Sequence, residues 1–175
     1  MIIVFTGNGK GKTTASLGQM VRVAGRGKKA LMIQFIKGPW KSGEDDFAKL
    51  FKIPNSKFEV RKMGKGFVGI LGDKLPREEH IKAAKEALGL FSKELASGNW
   101  DLIVLDEVNV AVSLGLVSKE AVIEAVSKVP EEKFVILSGR GAPEKFIEIA
   151  DLATEMREIK HPFNDGKMGK IAVEF

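Results

Sequence analysis

Cysteine is missing from all 175 residues, which excludes disulfides, thiolate nucleophiles and zinc–thiolate centres. Histidine is nearly as scarce, with only His80 and His161. Two imidazoles would need carboxylate helpers to bind a metal, and neither has acidic neighbours at ligand spacing, so a histidine-based metal centre is not expected. No apolar run approaches the roughly 20 residues that a membrane-spanning helix requires. The opening Met1–Phe5 segment is short and has no basic leader, so it reads as a strand and not as a signal peptide, and the expected location is cytoplasmic. Neither an internal repeat nor a low-complexity linker interrupts the chain.

What is present fits an ordinary globular protein. Hydrophobic residues make up 44% and charged residues 29%, values that argue against disorder or a fibrous chain. Cores commonly form from roughly 100–200 residues, so residues 1–175 are expected to form one domain. The formal net charge of +5 and pI near 9.3 suit an anionic ligand, whether nucleotide, polyphosphate or nucleic acid, without choosing among them. Basic clusters at Arg26–Lys29 and Lys57–Lys65 read as solvated surface.

Short β-branched apolar runs alternate with helical patterns, the mark of a mostly parallel sheet with helices on both faces. Strands are expected at Ile2–Thr6, Ala30–Phe35, Phe58–Lys62, Leu102–Asp106, Phe134–Ser138 and Ala153–Glu158, with a closing strand at Ile171–Phe175. Lys12–Ala24 reads as a helix. Arg77–Ala96 is a clearer one, because Ile81, Ala84, Leu88, Phe91 and Leu95 recur at steps of three and four. Pro143 opens a further helix through Ala150, with Glu144 in the first turn where the helix dipole favours negative charge. Met63–Pro76 does not fit either pattern. Its four glycines and the apolar Phe67, Val68 and Ile70 suggest a binding loop or lid, the alternative being a hairpin tip packed on the core.

The strongest chemical signal runs from Thr6 through Gly7, Asn8, Gly9, Lys10, Gly11, Lys12, Thr13 and Thr14. It follows an apolar strand and opens a helix, the context that a phosphate-binding loop requires. The glycines allow backbone N–H groups to turn inward around a polyphosphate, and the helix N-terminus adds positive dipole. Lys12 is expected at the outer phosphates and the Thr13 hydroxyl on Mg2+. The strict pattern has glycine where Thr6 stands. A second half of the site is expected from Asp106, at the end of an apolar strand next to the first, where it can hold Mg2+. Glu107 has three open readings: a second Mg2+ ligand, a base that polarises water, or a helix N-terminal charge.

Beyond these two motifs, the chain resembles the ATP:corrinoid adenosyltransferases almost from end to end. The resemblance is carried by GNGKGKTT at Gly7–Thr14, QFIKGPWKSGE at Gln34–Glu44, MGKGF at Met63–Phe67, WDLIVLDEVN at Trp100–Asn109, SGRGAPE at Ser138–Glu144 and ADLATEMREIKHPFNDG at Ala150–Gly166. It implies a RecA-like P-loop domain and a homodimer. The implied substrates are ATP and a reduced corrinoid, cob(I)alamin or a precursor, with triphosphate as leaving group and Mg2+ as cofactor. A flavoprotein reductase is the expected electron source, and neither nucleic acid nor membrane is an expected partner.

Under this resemblance Lys10, Lys12, Thr13 with Mg2+, and Asp106 or Glu107 stabilise the leaving group. Arg140 adds charge or, alternatively, forms an ion pair with Asp151 or Glu155. Phe67 matches the ring that displaces the corrinoid's lower ligand and so eases reduction of cobalt(II). The family often has tryptophan two residues later, where this chain has Gly69. Many members also have an N-terminal arm ahead of the first strand, and here Met1 begins the strand. Gln34 and Trp40 are expected to contact nucleotide or corrinoid, Trp100 to pack, and His80 to lie at the surface. His161 is either a structural imidazole or a substrate contact. The rival readings are a RecA-like ATPase using Glu107, a small-molecule kinase using Glu44 or Asp45, and a corrinoid carrier without catalysis.

Overall fold

The computed structural model describes residues 1–70, 72–166, 170 and 172–173. Among these described residues six strands form one sheet: β1 (Ile2–Thr6), β2 (Lys29–Gln34), β3 (Lys57–Lys62), β4 (Leu102–Asp106), β5 (Phe134–Ser138) and β6 (Leu152–Glu155). Every pairing is parallel, and the order is β3-β2-β4-β5-β1-β6. Parallel strands need crossovers, which here contain α1 (Lys12–Ala24), α2 (Gly43–Leu50), α3 (Arg77–Ala96), α4 (Val108–Ser113), α5 (Lys119–Val126) and α6 (Glu144–Ile149). The fold is therefore the expected α/β architecture, a parallel sheet with helices on both faces.

Alternation along the strands divides the core in two. Leu31, Ile33, Ile103, Leu105, Val135 and Leu137 face one layer, where they meet Ala84, Ala87 and Phe91 of α3, Val122 of α5 and Phe146 of α6. Ala30, Met32, Leu102, Val104 and Ile136 face the other, against Met20 and Val23 of α1. The central strands are buried on both faces, which explains why β4 is apolar throughout until Asp106. Each apolar run then stops at a polar residue on the carboxyl edge: Thr6, Gln34, Asp106 and Ser138.

Helices α1 and α3 have the bounds that periodicity predicts. Other expectations are corrected. β4 does not neighbour β1, because β5 lies between them. β6 ends at Glu155, three residues early, and the chain then leaves the sheet to run beside the phosphate loop. β3 is a parallel edge strand, so Met63–Pro76 is no hairpin tip. The Lys57–Lys65 cluster is not simply solvated: Arg61 bonds Glu59 and Glu94 at 2.5 Å each, and Lys62 pairs with Asp45. Of the expected closing strand, Ile171, Glu174 and Phe175 lie outside the described residues, while Ala172 and Val173 form a turn.

Candidate active site

The loop between β1 and α1 turns through two glycines in the left-handed region, Gly7 at φ 92° and Gly11 at φ 123°. No acidic residue occupies the first turn of α1, so its N-terminal dipole is left for an anion. The loop is braced from outside. Gly9 donates its N–H to the Met156 carbonyl at 2.6 Å, and an added Cβ at Gly9 would lie 2.7 Å from backbone atoms of Met156 and Arg157. Gly7 is equally confined, 2.5 Å from the Met156 oxygen by the same measure. Thr6, the departure from the strict motif, sits within β1 and accepts a hydrogen bond from the Ala142 N–H at 3.1 Å. Its hydroxyl thus ties the loop to the turn after β5.

Lys12 is 6% exposed. Its ammonium donates to the carbonyls of Gly7 and Gly9, both at 2.7 Å. Burial lowers its pKa, while the nearby Glu107 charge pulls the other way. Asn8, Lys10 and Thr14 are exposed around the loop. Lys10 and Arg140 both repel Lys12. Among the described residues, no ion pair joins Arg140 to Asp151 or Glu155.

Asp106 is fully buried. Its Oδ1 accepts from Thr13 Oγ1 at 3.0 Å and Ser138 Oγ at 2.7 Å, and its Oδ2 accepts from Gln34 Nε2 at 3.1 Å. Burial still raises its pKa against these donors. Glu107 follows in the left-handed conformation at φ 61°, unusual for a residue with a side chain and costing ~1–3 kcal/mol. Its N–H donates to Ser138 Oγ at 3.2 Å. Burial, reinforced by the Asp106 charge, pushes the Glu107 carboxyl up to about 7. Two adjoining carboxylates with raised pKa, one of them touching the loop threonine, form a site that a cation would relieve. Among the described residues no group of three acidic or histidine ligands occurs.

Gln34 is buried and bridges Asp106 to Glu44, whose Oε1 accepts from Nε2 at 3.3 Å. Glu44 also pairs with Lys37. Burial would push the Glu44 carboxyl up, but the Lys37 hydrogen bond holds it below its usual value. The same opposition, with Lys62, keeps Asp45 low.

Two residues went unassigned from sequence. Ser138, at the end of β5, donates to Asp106 and accepts from the Glu107 N–H, so its hydroxyl bridges the two adjoining acidic residues. Asn109 is buried on α4 and donates to the Gly139 carbonyl at 3.1 Å and the Phe5 carbonyl at 3.4 Å, so it locks the turn after β5 to the strand that carries the loop. Gly139, at φ 130°, leaves only 3.1 Å between a built Cβ and Glu107 Oε2. The available signal for Ser138 was its place as the polar end of an apolar strand. Asn109 gave none beyond the quoted segment.

A ring pair stands on the same carboxyl edge. Trp40 follows β2 and is 60% exposed; Phe67 follows β3 and is 46% exposed. Their centroids are 5.8 Å apart with planes inclined by 35°. Glycines make room for the indole, since Cβ atoms at Gly38 and Gly66 would each lie 2.7 Å from it. Lys62 donates to the Trp40 carbonyl. Trp100, at 4% exposure, packs as expected and donates to Glu94 at 2.7 Å. His80 is not at the surface: it is 3% exposed, because the Met63–Pro76 segment covers it and supplies Asp73 to Nε2 at 2.9 Å. His161 is half-buried just before the 3₁₀ turn Pro162–Asp165.

A family model described as ATP:corrinoid adenosyltransferase BtuR/CobO/CobP matches residues 1–175. A corrinoid adenosyltransferase of Escherichia coli is 37% identical over 175 residues, spanning all of this chain and 85% of its own. One from Pseudomonas aeruginosa is 35% identical, covering 100% of this chain and 83% of the relative. Corrinoid adenosyltransferase CobA of Salmonella typhimurium is likewise 35% identical, with coverage of 100% and 85%. With its phosphate loop, buried carboxylate and full-length match, the chain belongs to the ATP:corrinoid adenosyltransferase family.

Proposed function

We propose that this protein transfers the 5′-deoxyadenosyl group of ATP to the reduced cobalt of a corrinoid such as cob(I)alamin. The cobalt electron pair attacks the ribose 5′-carbon, the carbon–oxygen bond breaks, and triphosphate leaves with its electrons. The observation that carries this reading is one sheet edge bearing both an anion loop and an exposed ring pair, Trp40 with Phe67, suited to a large planar apolar ligand.

Because cobalt(I) is itself the nucleophile, the protein's tasks are alignment, water exclusion and stabilisation of the departing charge. Lys12 exchanges its two loop carbonyls for phosphate oxygens, with Lys10 and Arg140 adding charge around the loop. Gly7, Asn8, Gly9, Gly11 and Thr14 shape and line the nucleotide cradle, and Gln34 fixes the Asp106 carboxylate. Thr13 and Asp106, with Glu107, fit Mg2+, which when bound neutralises the triphosphate. Phe67, supported by Trp40, meets the lower face of the corrinoid. A cytoplasmic homodimer supplied with electrons by a flavoprotein reductase completes the proposal.

Glu107 favours a second reading, since a buried carboxyl with pKa about 7 suits a general base activating water in an ATPase. A kinase has less support, as Glu44 and Asp45 are ion-paired and hold their protons weakly. Incubation with ATP and chemically reduced cob(I)alamin separates these. Adenosyltransfer gives a light-sensitive organocobalt spectrum, whereas an ATPase releases ADP and phosphate with or without corrinoid.

A further inference from the structure

The segment from Met63 to Pro76 is pinned at both ends. At the first, Met63 and Gly64 donate their N–H groups to the Gln34 carbonyl at 3.0 and 3.1 Å, and Gly66 donates to Ile36 at 2.9 Å. At the second, one carboxylate gathers three donors. Asp73 accepts from the Gly69 N–H at 2.8 Å, the Leu75 N–H at 3.1 Å and His80 Nε2 at 2.9 Å. Phe67 lies between the two anchors, against Trp40.

Gly69 explains its own identity. Its φ of 69° lies in the left-handed region, and its N–H is committed to Asp73. A tryptophan at this position, as the resemblance suggested, would be strained there. The three donors hold the Asp73 carboxyl below its usual value, the Gly69 N–H contributing most. The histidine is set in the first turn of α3, so it fixes this knot to a twenty-residue helix packed on the sheet.

We propose that Asp73 and His80 are positioning residues that hold Phe67 against Trp40, so that the two rings meet the corrinoid as one preset surface. This rests on the reading that the ring pair faces the corrinoid. Preorganisation of this kind lowers the ordering cost of binding. In the absence of the latch the Phe67 ring is still present but not held, and the step that depends on its placement slows.

The experiment uses the full chain with His80→Leu, His80→Gln and Asp73→Ala, the last acting on the loop without entering the helix core. Hydrogen exchange reads the latch without reference to activity. In His80→Leu and Asp73→Ala the Gly69 and Leu75 amides are expected to exchange about tenfold faster or more, with β4 amides unchanged. Turnover starting from cob(II)alamin and a reductant should fall several-fold, turnover from pre-reduced cob(I)alamin much less, and the KM for ATP should stay as in the wild type. His80→Gln, whose amide can still donate to Asp73, should restore both signals. Unchanged exchange in both disrupting variants overturns the latch. Faster exchange with an unaltered cobalt(II)-to-cobalt(I) activity ratio overturns its positioning role. If the wild type makes no adenosylcorrinoid from either substrate, the proposed function fails, whatever the exchange data say about the latch.

Discussion

Glu107 offers the most quantitative test of the site, because its burial beside Asp106 reverses the usual acid dependence of stability. Its carboxyl is raised from an ordinary 4.5 to about 7. The folded protein therefore holds a proton that the unfolded chain releases across that interval, and stability falls as pH rises from 4.5 towards 7. At ~1.4 kcal/mol per tenfold change in proton affinity, the full cost of ionising the buried carboxyl is about 3 kcal/mol, reached above neutrality. Below the ordinary value both states are protonated and the contribution vanishes. Glu107→Gln keeps the shape and removes the titration. Urea denaturation of ligand-free wild type and variant between pH 5 and 8 should then give curves that diverge with pH, on the order of 3 kcal/mol apart at pH 8, the variant being the more stable. Mg2+·ATP should invert the dependence for the wild type, since cation binding needs the ionised form. Parallel stability curves for the two proteins would refute the assignment of a destabilising carboxylate at this position.

Three further outcomes follow from the geometry. Gly9→Ala forces a methyl against the Met156–Arg157 backbone at 2.7 Å, an overpacking of ~1–3 kcal/mol, so calorimetry should show ATP affinity down by an order of magnitude in a folded protein. Ser138→Ala deprives Asp106 of its 2.7 Å donor and the Glu107 N–H of its acceptor; a charge-assisted bond is worth ~1.5–3 kcal/mol, and an ATP dissociation constant within twofold of wild type would reject the bridging role. Phe67→Ala should leave denaturation within ~0.5 kcal/mol, as expected for an exposed side chain, and impair turnover from cobalt(II) far more than from pre-reduced cobalt(I); equal loss with both substrates would reject the ring's proposed placement.

Local pattern was enough for the parts of the fold that local energetics decide. The three-and-four spacing in Arg77–Ala96 and the glycine-flanked Lys12–Ala24 fix their helices without tertiary help. Helices α2, α4 and α5 were not anticipated: Val108–Ser113, for one, is six residues with three valines, a composition that reads as strand and becomes helical through burial of Val108 and Ala111. Strand order is likewise a long-range property, so the interposed β5, and with it the bridge from Ser138 to Asp106, could not be read from either segment alone. His80 shows the same limit. A first-turn histidine is ordinarily exposed, and only the covering segment with Asp73 buries it. The approach of Thr13 to Asp106 was legible, because a glycine-rich turn opening a helix and the polar end of an apolar parallel strand are expected on the same edge of the sheet.

In the proposed reaction ATP presents its 5′-carbon, not its terminal phosphorus, to the acceptor. Phosphorus NMR of a single-turnover reaction with cob(I)alamin tests it most directly. Intact triphosphate in equal amount to adenosylated corrinoid is the expected result, and orthophosphate with ADP and no cobalt–carbon bond would contradict it.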